Sequence, residues 1–210
     1  KMLSKSSYLI GLQCPKYLWI KFHQPEKIPE PDKSTQHRFD QGHLIGEYAK
    51  KLYPNGIDIP DKDFKANIEK TKELIYERKT LFEPAFMIDN LYSRADILEP
   101  VGKDEWDIIE VKSGTQVKDV NIDDVSFQKY VYEKAGLKIR KCFLMHVNNE
   151  YVRDGEIEPD KLLIKEEITN EANEAIKGIQ DRISKMFKII ESDKIPEITI
   201  SRECNNPYTC

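Results

Sequence analysis

The chain has 210 residues, 39% of them hydrophobic and 33% charged, with a formal net charge of −4. That length fits one domain, or one domain with an appended module, and carries enough apolar material for a real core. No apolar stretch approaches the ~20 residues of a membrane span, the opening residues lack a signal-peptide core and cleavage site, and the negative balance leaves any phosphate contact to a local basic patch or bound metal ions. A cytoplasmic address, without membrane contact, is the default expectation.

Residues 4–21 begin with Ser4 and Ser6 as candidate caps and carry apolar residues at helical spacing, interrupted by Pro15 directly after Cys14. "HQPEKIPEPDKS" reads as an extended surface connection. A helix is predicted from Thr35 to Leu52, with Phe39, Leu44, Ile45, Tyr48 and Ala49 as its apolar face. After the turn "YPNGIDIPD", helix signals resume from Asp63 to Arg78. From Phe82 the period changes, and residues 82–113 contain three β-rich runs separated by Asp-Asn and by a turn around Gly102. "DDVSFQKYVYEKAG" is predicted as a helix stopped by Gly136, "RKCFLMHVN" as a short strand, and residues 160–192 as a long amphipathic helix or pair of helices. This order predicts an α/β domain over residues 1–200 with a central mixed β-sheet flanked by helices, and a cysteine tail over residues 201–210.

The stretch "DIIEVKSG" places Glu110 and Lys112 on one face of an otherwise apolar strand, together with Trp106 and Ile108. Buried charges survive only when paired or bound to an ion. If Tyr92, Arg94, Asp96 and Leu98 share a face of the preceding strand, a turn near Lys103 sets Asp96 opposite Glu110. Cross-strand neighbours lie ~5 Å apart at Cβ, close enough for two carboxylates to share a hard divalent cation such as Mg²⁺ or Mn²⁺. Lys112, one pleat on, would face a phosphate oxygen or a metal-bound water. The alternative is a solvent-facing salt bridge at a sheet edge. Gln128 and Tyr132, four apart on the next helix, share a face that would position a nucleotide or water; otherwise Tyr132 is half-buried packing and Gln128 a solvated neighbour.

Asp96, then Glu110-Val111-Lys112, then Gln128 with Tyr132, resembles the PD-(D/E)XK nuclease superfamily, in particular its RecB-like branch with a Q-x-x-x-Y motif. The resemblance implies a restriction-endonuclease-like core, Asp96 and Glu110 as metal ligands, the Val111 carbonyl completing the site, and Lys112 as the catalytic lysine. The branch usually adds a ligand from an upstream G-x-x-x-H helix. Here Gly46 stands where that histidine would fall, and His43 is the nearest substitute.

The cysteines carry a second part of the resemblance. Cys14 and Cys142 are isolated, whereas Cys204 and Cys210 close the chain, and clustered cysteines in a cytoplasmic protein read as metal ligands before disulfides. Nucleases of the AddB type and of CRISPR adaptation hold an iron–sulfur cluster with one N-terminal and three C-terminal cysteines. The opening "LSKSSYLIGLQCPKYLW" and the tail "ECNNPYTC" are similar to those of a related, poorly characterised bacterial group. That similarity implies Cys14, Cys204 and Cys210 as cluster ligands, with the fourth lying beyond Cys210. Two incidental tail cysteines are the alternative, and Cys142 reads as a core residue.

Tyr17, Trp19 and Lys21 are candidates for stacking on bases or for core packing. Lys138, Arg140 and Lys141 form a charge run that reads as a solvated face. The resemblance implies a Mg²⁺- or Mn²⁺-dependent nuclease acting on single-stranded DNA or DNA ends, as part of a longer protein. An idle nucleic-acid-binding module and a cysteine-ligated iron–sulfur or zinc protein are the other readings.

Overall fold

A computed structural model describes residues 1–60 and 63–207. A two-residue strand, β1 (Leu3–Ser4), leads into helices α1 (Lys5–Gln13) and α2 (Pro15–His23). Ser4 caps α1 by accepting from the Ser7 N–H, and the Cys14 Sγ accepts from the Tyr17 N–H at the start of α2. Pro15 sits at the first position of α2, where its missing N–H would have no partner anyway. The proline therefore opens a second helix.

Helix α3 (Lys33–Lys50) is capped by Asp32, whose Oδ1 accepts from the Thr35 N–H at 2.7 Å. Strand β2 (Ile57–Asp58), helix α4 (Phe64–Leu74) and strand β3 (Leu81–Phe82) follow, then β4 (Ala85–Ile88), β5 (Leu91–Arg94), β6 (Ile97–Val101) and β7 (Glu105–Lys112). The remainder runs α5 (Asp119–Lys134), β8 (Lys138–Val147), α6 (Pro159–Leu162), β9 (Leu163–Glu167), α7 (Thr169–Ile176) and α8 (Ile179–Glu191).

The main sheet has the order β2-β3-β6-β7-β8-β9, and a smaller one the order β1-β5-β4. β6 and β7 form the expected hairpin, turning at Gly102 with φ +55, while β7 and β8 are parallel and joined through α5. The mixed sheet is therefore present. Its two faces are apolar in different company. Trp106, Ile108, Cys142 and Leu144 pack with Val125, Phe127 and Val131 of α5 and Ile183 and Met186 of α8. Ile97, Ile109 and Met145 pack with Ile45 and Ala49 of α3. This two-sided burial explains why β7 reads as a nearly continuous apolar run.

Three expectations change. Tyr92 and Arg94 do not share a strand with Asp96: the chain leaves the small sheet after Arg94 and enters the main one at Ile97. Residues 163–167 form the edge strand β9 rather than helix, with Leu163 buried and the next four residues exposed. Charged side chains are what an edge strand carries against unwanted pairing, and they imitate a helix surface in sequence. On α3, Ile45 and Ala49 are buried, but Phe39 and Leu44 are 50% and 45% exposed. None of the residues in its first three turns is buried.

Among the described residues, no helix is long and apolar enough to cross a membrane. Lys138 pairs with Asp104, Arg140 with Asp107 and Lys141 with Glu167, so the charge run is absorbed by ion pairs. Trp19 is buried, donates from Nε1 to the Ser192 carbonyl at 2.8 Å and stacks on His23, which makes it core rather than a base platform.

Candidate active site

Pleating alone sends Trp106, Ile108, Glu110 and Lys112 to the α5 side of β7. The first two fill the core, and the next two meet helices α1 and α5. Glu110 is 1% exposed. Its Oε1 accepts from Lys112 Nζ at 2.5 Å and from Lys5 Nζ at 2.9 Å, and its Oε2 accepts from Gln128 Nε2 at 2.7 Å. Asp124, 2% exposed, accepts from Lys112 Nζ at 2.9 Å and Gln128 Nε2 at 2.9 Å, and pairs with Lys5 Nζ at 3.3 Å. Two acids and two ammonium groups thus form one knot, with the Gln128 amide bridging the carboxylates.

Asp96 approaches from the hairpin's other arm. The register pairs Ile97 with Ile109, so Asp96 falls next to Glu110 one step further out. Its Oδ2 accepts from the Val111 N–H at 2.7 Å. Val111 thereby ties the two acids together through the backbone. Asp96, Glu110, Val111 and Lys112 all line one wall of a cleft of about 1070 Å³.

The electrostatics distinguish these acids. Burial, followed by repulsion from Asp124 and Asp96, pushes Glu110 up to about 7. Burial also raises Asp96, against the attraction of Lys5 and Lys112. Asp124 is buried too, yet the ammonium groups of Lys112 and Lys5 hold it well below the usual carboxylate range. Lys112 stays firmly protonated: burial opposes its charge, but Asp124, Glu110 and Asp96 outweigh burial. Three carboxylates share two ammonium groups, leaving an excess negative charge on the Asp96 side.

That excess, carried by hard oxygens at the cleft wall, fits a hard divalent cation such as Mg²⁺ or Mn²⁺ with water filling its remaining positions. The protein does not complete the donor set: among the described residues, no three His, Cys, Asp or Glu side chains gather closely enough to hold a metal. His43 lies on the cleft wall on α3, exposed, and is not gathered with Asp96 and Glu110.

Gln128 and Tyr132 do share a face of α5, but neither reaches solvent. Gln128 orients Glu110 and Asp124, with its own Oε1 unpartnered. The Tyr132 hydroxyl donates to the Pro84 carbonyl at 2.6 Å and accepts from the Ala95 N–H at 2.9 Å. It clamps the point where the chain crosses between sheets, immediately before Asp96. Instead of positioning a nucleotide or water, as their shared face predicts, both lie in the interior, Gln128 against Glu110 and Asp124 and Tyr132 behind Asp96.

Lys5 and Asp124 were not among the expected residues. A signal existed for Asp124, which precedes Gln128 by the same four residues that separate Gln128 from Tyr132. Lys5 lies 105 residues from its partner Glu110, and nothing local in "LSKSSYL" marks it.

Cys14 is buried at the α1–α2 junction and Cys204 is half-buried in a short 3₁₀ turn over Arg202–Asn205. Cys210 lies outside the described residues. Cys142 is fully buried, and desolvation pushes its thiol up to about 12, as befits a core residue.

No family model matches the chain, and no curated protein does. Among solved structures, a candidate exonuclease from Eubacterium rectale matches over 95% of this chain and 91% of its own, at 12% identity and a TM-score of 0.50. An alkaline exonuclease from Laribacter hongkongensis matches over 90% of both chains, at 11% identity and a TM-score of 0.38. The likeness to the first shows a shared fold over nearly the whole chain. The fold shared with it is an α/β arrangement in which a mixed sheet is flanked by helices.

Proposed function

We propose that the protein is a metal-dependent deoxyribonuclease, acting on single-stranded DNA or DNA ends, with Asp96, Glu110 and Lys112 as its catalytic set. The observation that carries this reading is the convergence of those three side chains on one wall of a cleft of about 1070 Å³. Asp96 and Glu110, with the Val111 carbonyl, would hold Mg²⁺ or Mn²⁺, which supplies activation of a water nucleophile and neutralisation of developing charge. The chain's own residues do the rest. Lys112, protonated and tethered to Glu110 and Asp124, presents a fixed cation to the phosphate under attack. Lys5 offsets the charge of Glu110 and Asp124 so that these acids stay folded close together. Gln128 fixes their orientation, and Tyr132 fixes the strand that delivers Asp96.

One observation favours the idle-module reading: both Glu110 oxygens already accept hydrogen bonds from protein donors. A binding module needs no free carboxylate. Cleavage of end-labelled single-stranded DNA with Mn²⁺ decides between the two. The nuclease reading expects cutting by the parent and a loss on the order of 10²–10⁴-fold for Lys112→Met, with Glu110→Ala equally impaired. Calorimetric titration with Mn²⁺ should show binding to the parent and none to Glu110→Ala. Equal rates for parent and variants would remove Glu110 and Lys112 from the site.

A further inference from the structure

The wall of the cleft facing the acids belongs to α3, and its construction is odd for a helix that only packs. Of its 18 residues, none before Ile45 is buried. A free-standing helical segment of about twelve residues is marginal in water, and this one contains Gly42, a poor helix former. No conformational need explains that glycine, because a Cβ built there would meet nothing within 4 Å. The same holds for Gly46, one turn on.

The cleft-facing positions of this segment are Arg38, Phe39, Gly42 and His43. Phe39 is 50% exposed, and its neighbour Arg38 donates to the Thr35 hydroxyl at 2.9 Å. Among the described residues, no carboxylate comes within ion-pair distance of the Arg38 guanidinium. Isolated exposed apolar residues are ordinary on any surface, and Tyr76 and Val152, each 85% exposed and away from the cleft, are of that kind. Phe39 differs in lining the same cavity as Asp96 and Lys112, beside a cation, with an open stretch of helix backbone one turn further.

We infer that the overhanging part of α3 is a subsite for single-stranded DNA, in which a base stacks on Phe39 and the adjoining phosphate pairs with Arg38 while the strand crosses the open backbone at Gly42. This rests on the nuclease reading for the identity of the polymer. The charge logic agrees with it. The chain as a whole is negative, so a polyanion needs cations placed at the cleft itself, and Arg38 and Lys112 both line it. Stacking on a side chain needs a base with one face free of its stacked neighbour, which a single strand offers and a duplex interior does not.

The test is binding, read without turnover: fluorescence anisotropy of dye-labelled oligothymidylate in EDTA. Phe39→Ala should bind roughly tenfold more weakly than the parent, with only a small change in melting temperature because half of the residue's surface is already exposed. Phe39→Trp should restore binding, and its indole emission should quench on adding the oligomer. Arg38→Ala should weaken binding and flatten its salt dependence. With an oligomer of the same length made of abasic sites, parent and Phe39→Ala should bind alike. If Phe39→Ala binds the thymidylate as tightly as the parent, the subsite is wrong while the nuclease reading stands. If the parent neither binds nor cuts DNA, both fail. If Phe39→Ala weakens binding but Glu110→Ala still cuts, the subsite survives and the catalytic assignment does not.

Discussion

Asp107 and Glu110 are both buried acids on β7, at 2% and 1% exposure, and pleating sends them to opposite faces of the sheet. Asp107 accepts from Arg140 at Nε (3.0 Å) and Nη2 (2.6 Å) and from the Lys141 N–H (3.1 Å). One anion meets one cation with its hydrogen bonds filled, and neither residue lines the cleft beside Glu110. Glu110 shares its two ammonium groups with Asp124, and has Asp96 beside it as a further anion. Burial alone therefore does not mark a functional acid. What sets Glu110 apart is the excess of like charge beside a cleft, which nothing in folding rewards.

Neutralising each acid should sharpen that contrast, since the two changes have opposite signs. Glu110 has a folded pKa of about 7 against an ordinary 4.5. The folded state therefore binds its proton more tightly, and stability must fall as pH rises through that window. Glu110→Gln leaves two ammonium groups balanced by Asp96 and Asp124. In EDTA it should remove most of the fall in melting temperature between about pH 5 and 7, and at neutral pH gain up to about 3 kcal/mol over the parent. Mn²⁺ should supply the same relief to the parent and none to the variant. A parent whose melting temperature is flat or rising over this range would contradict the charge excess. Asp107→Ala, by contrast, should lose about 2 kcal/mol, from the half-buried Lys141 amide and the Arg140 guanidinium left without their acceptor, and should leave DNA cleavage alone.

Tyr132→Phe probes the connection between the two sheets. It deletes the hydroxyl that joins Pro84 to Ala95. The Ala95 N–H keeps a longer bond to the Pro84 carbonyl at 3.3 Å, so the loss should be about 1–2 kcal/mol by chemical denaturation. Because Asp96 is displaced only indirectly, kcat for cleavage should fall more than KM rises.

The hairpin, α5 and the facing of Asp96, Glu110 and Lys112 were legible because each depends on local rules: pleat alternation, a glycine turn and four-residue helical spacing. Gln128 and Tyr132 were legible as a shared face but not as buried, since spacing says nothing about which side meets solvent. Lys5 was illegible for a different reason. Its meaning comes from a contact across 105 residues of chain, and only the packing of α1 against α5 brings it there. Strand β9 reads as helix surface because "LLIKEE" carries the charges that protect a sheet edge.

Gly42→Ala should have the smallest effect on folding and still separates the two walls of the cleft. Alanine is favoured over glycine in a helix interior by about 1 kcal/mol, and a Cβ at this position meets nothing within 4 Å. If α3 served only to cover the sheet, the substitution would be a plain gain in melting temperature with binding untouched. If DNA crosses the helix there, the methyl group obstructs the approach, and the more stable protein binds the oligomer less well. The Glu110 wall opposes folding through charge and the α3 wall through an unsupported helix, so in both a stabilising substitution should reduce function. At Asp107 it is the loss of the side chain that destabilises, and function is indifferent to it.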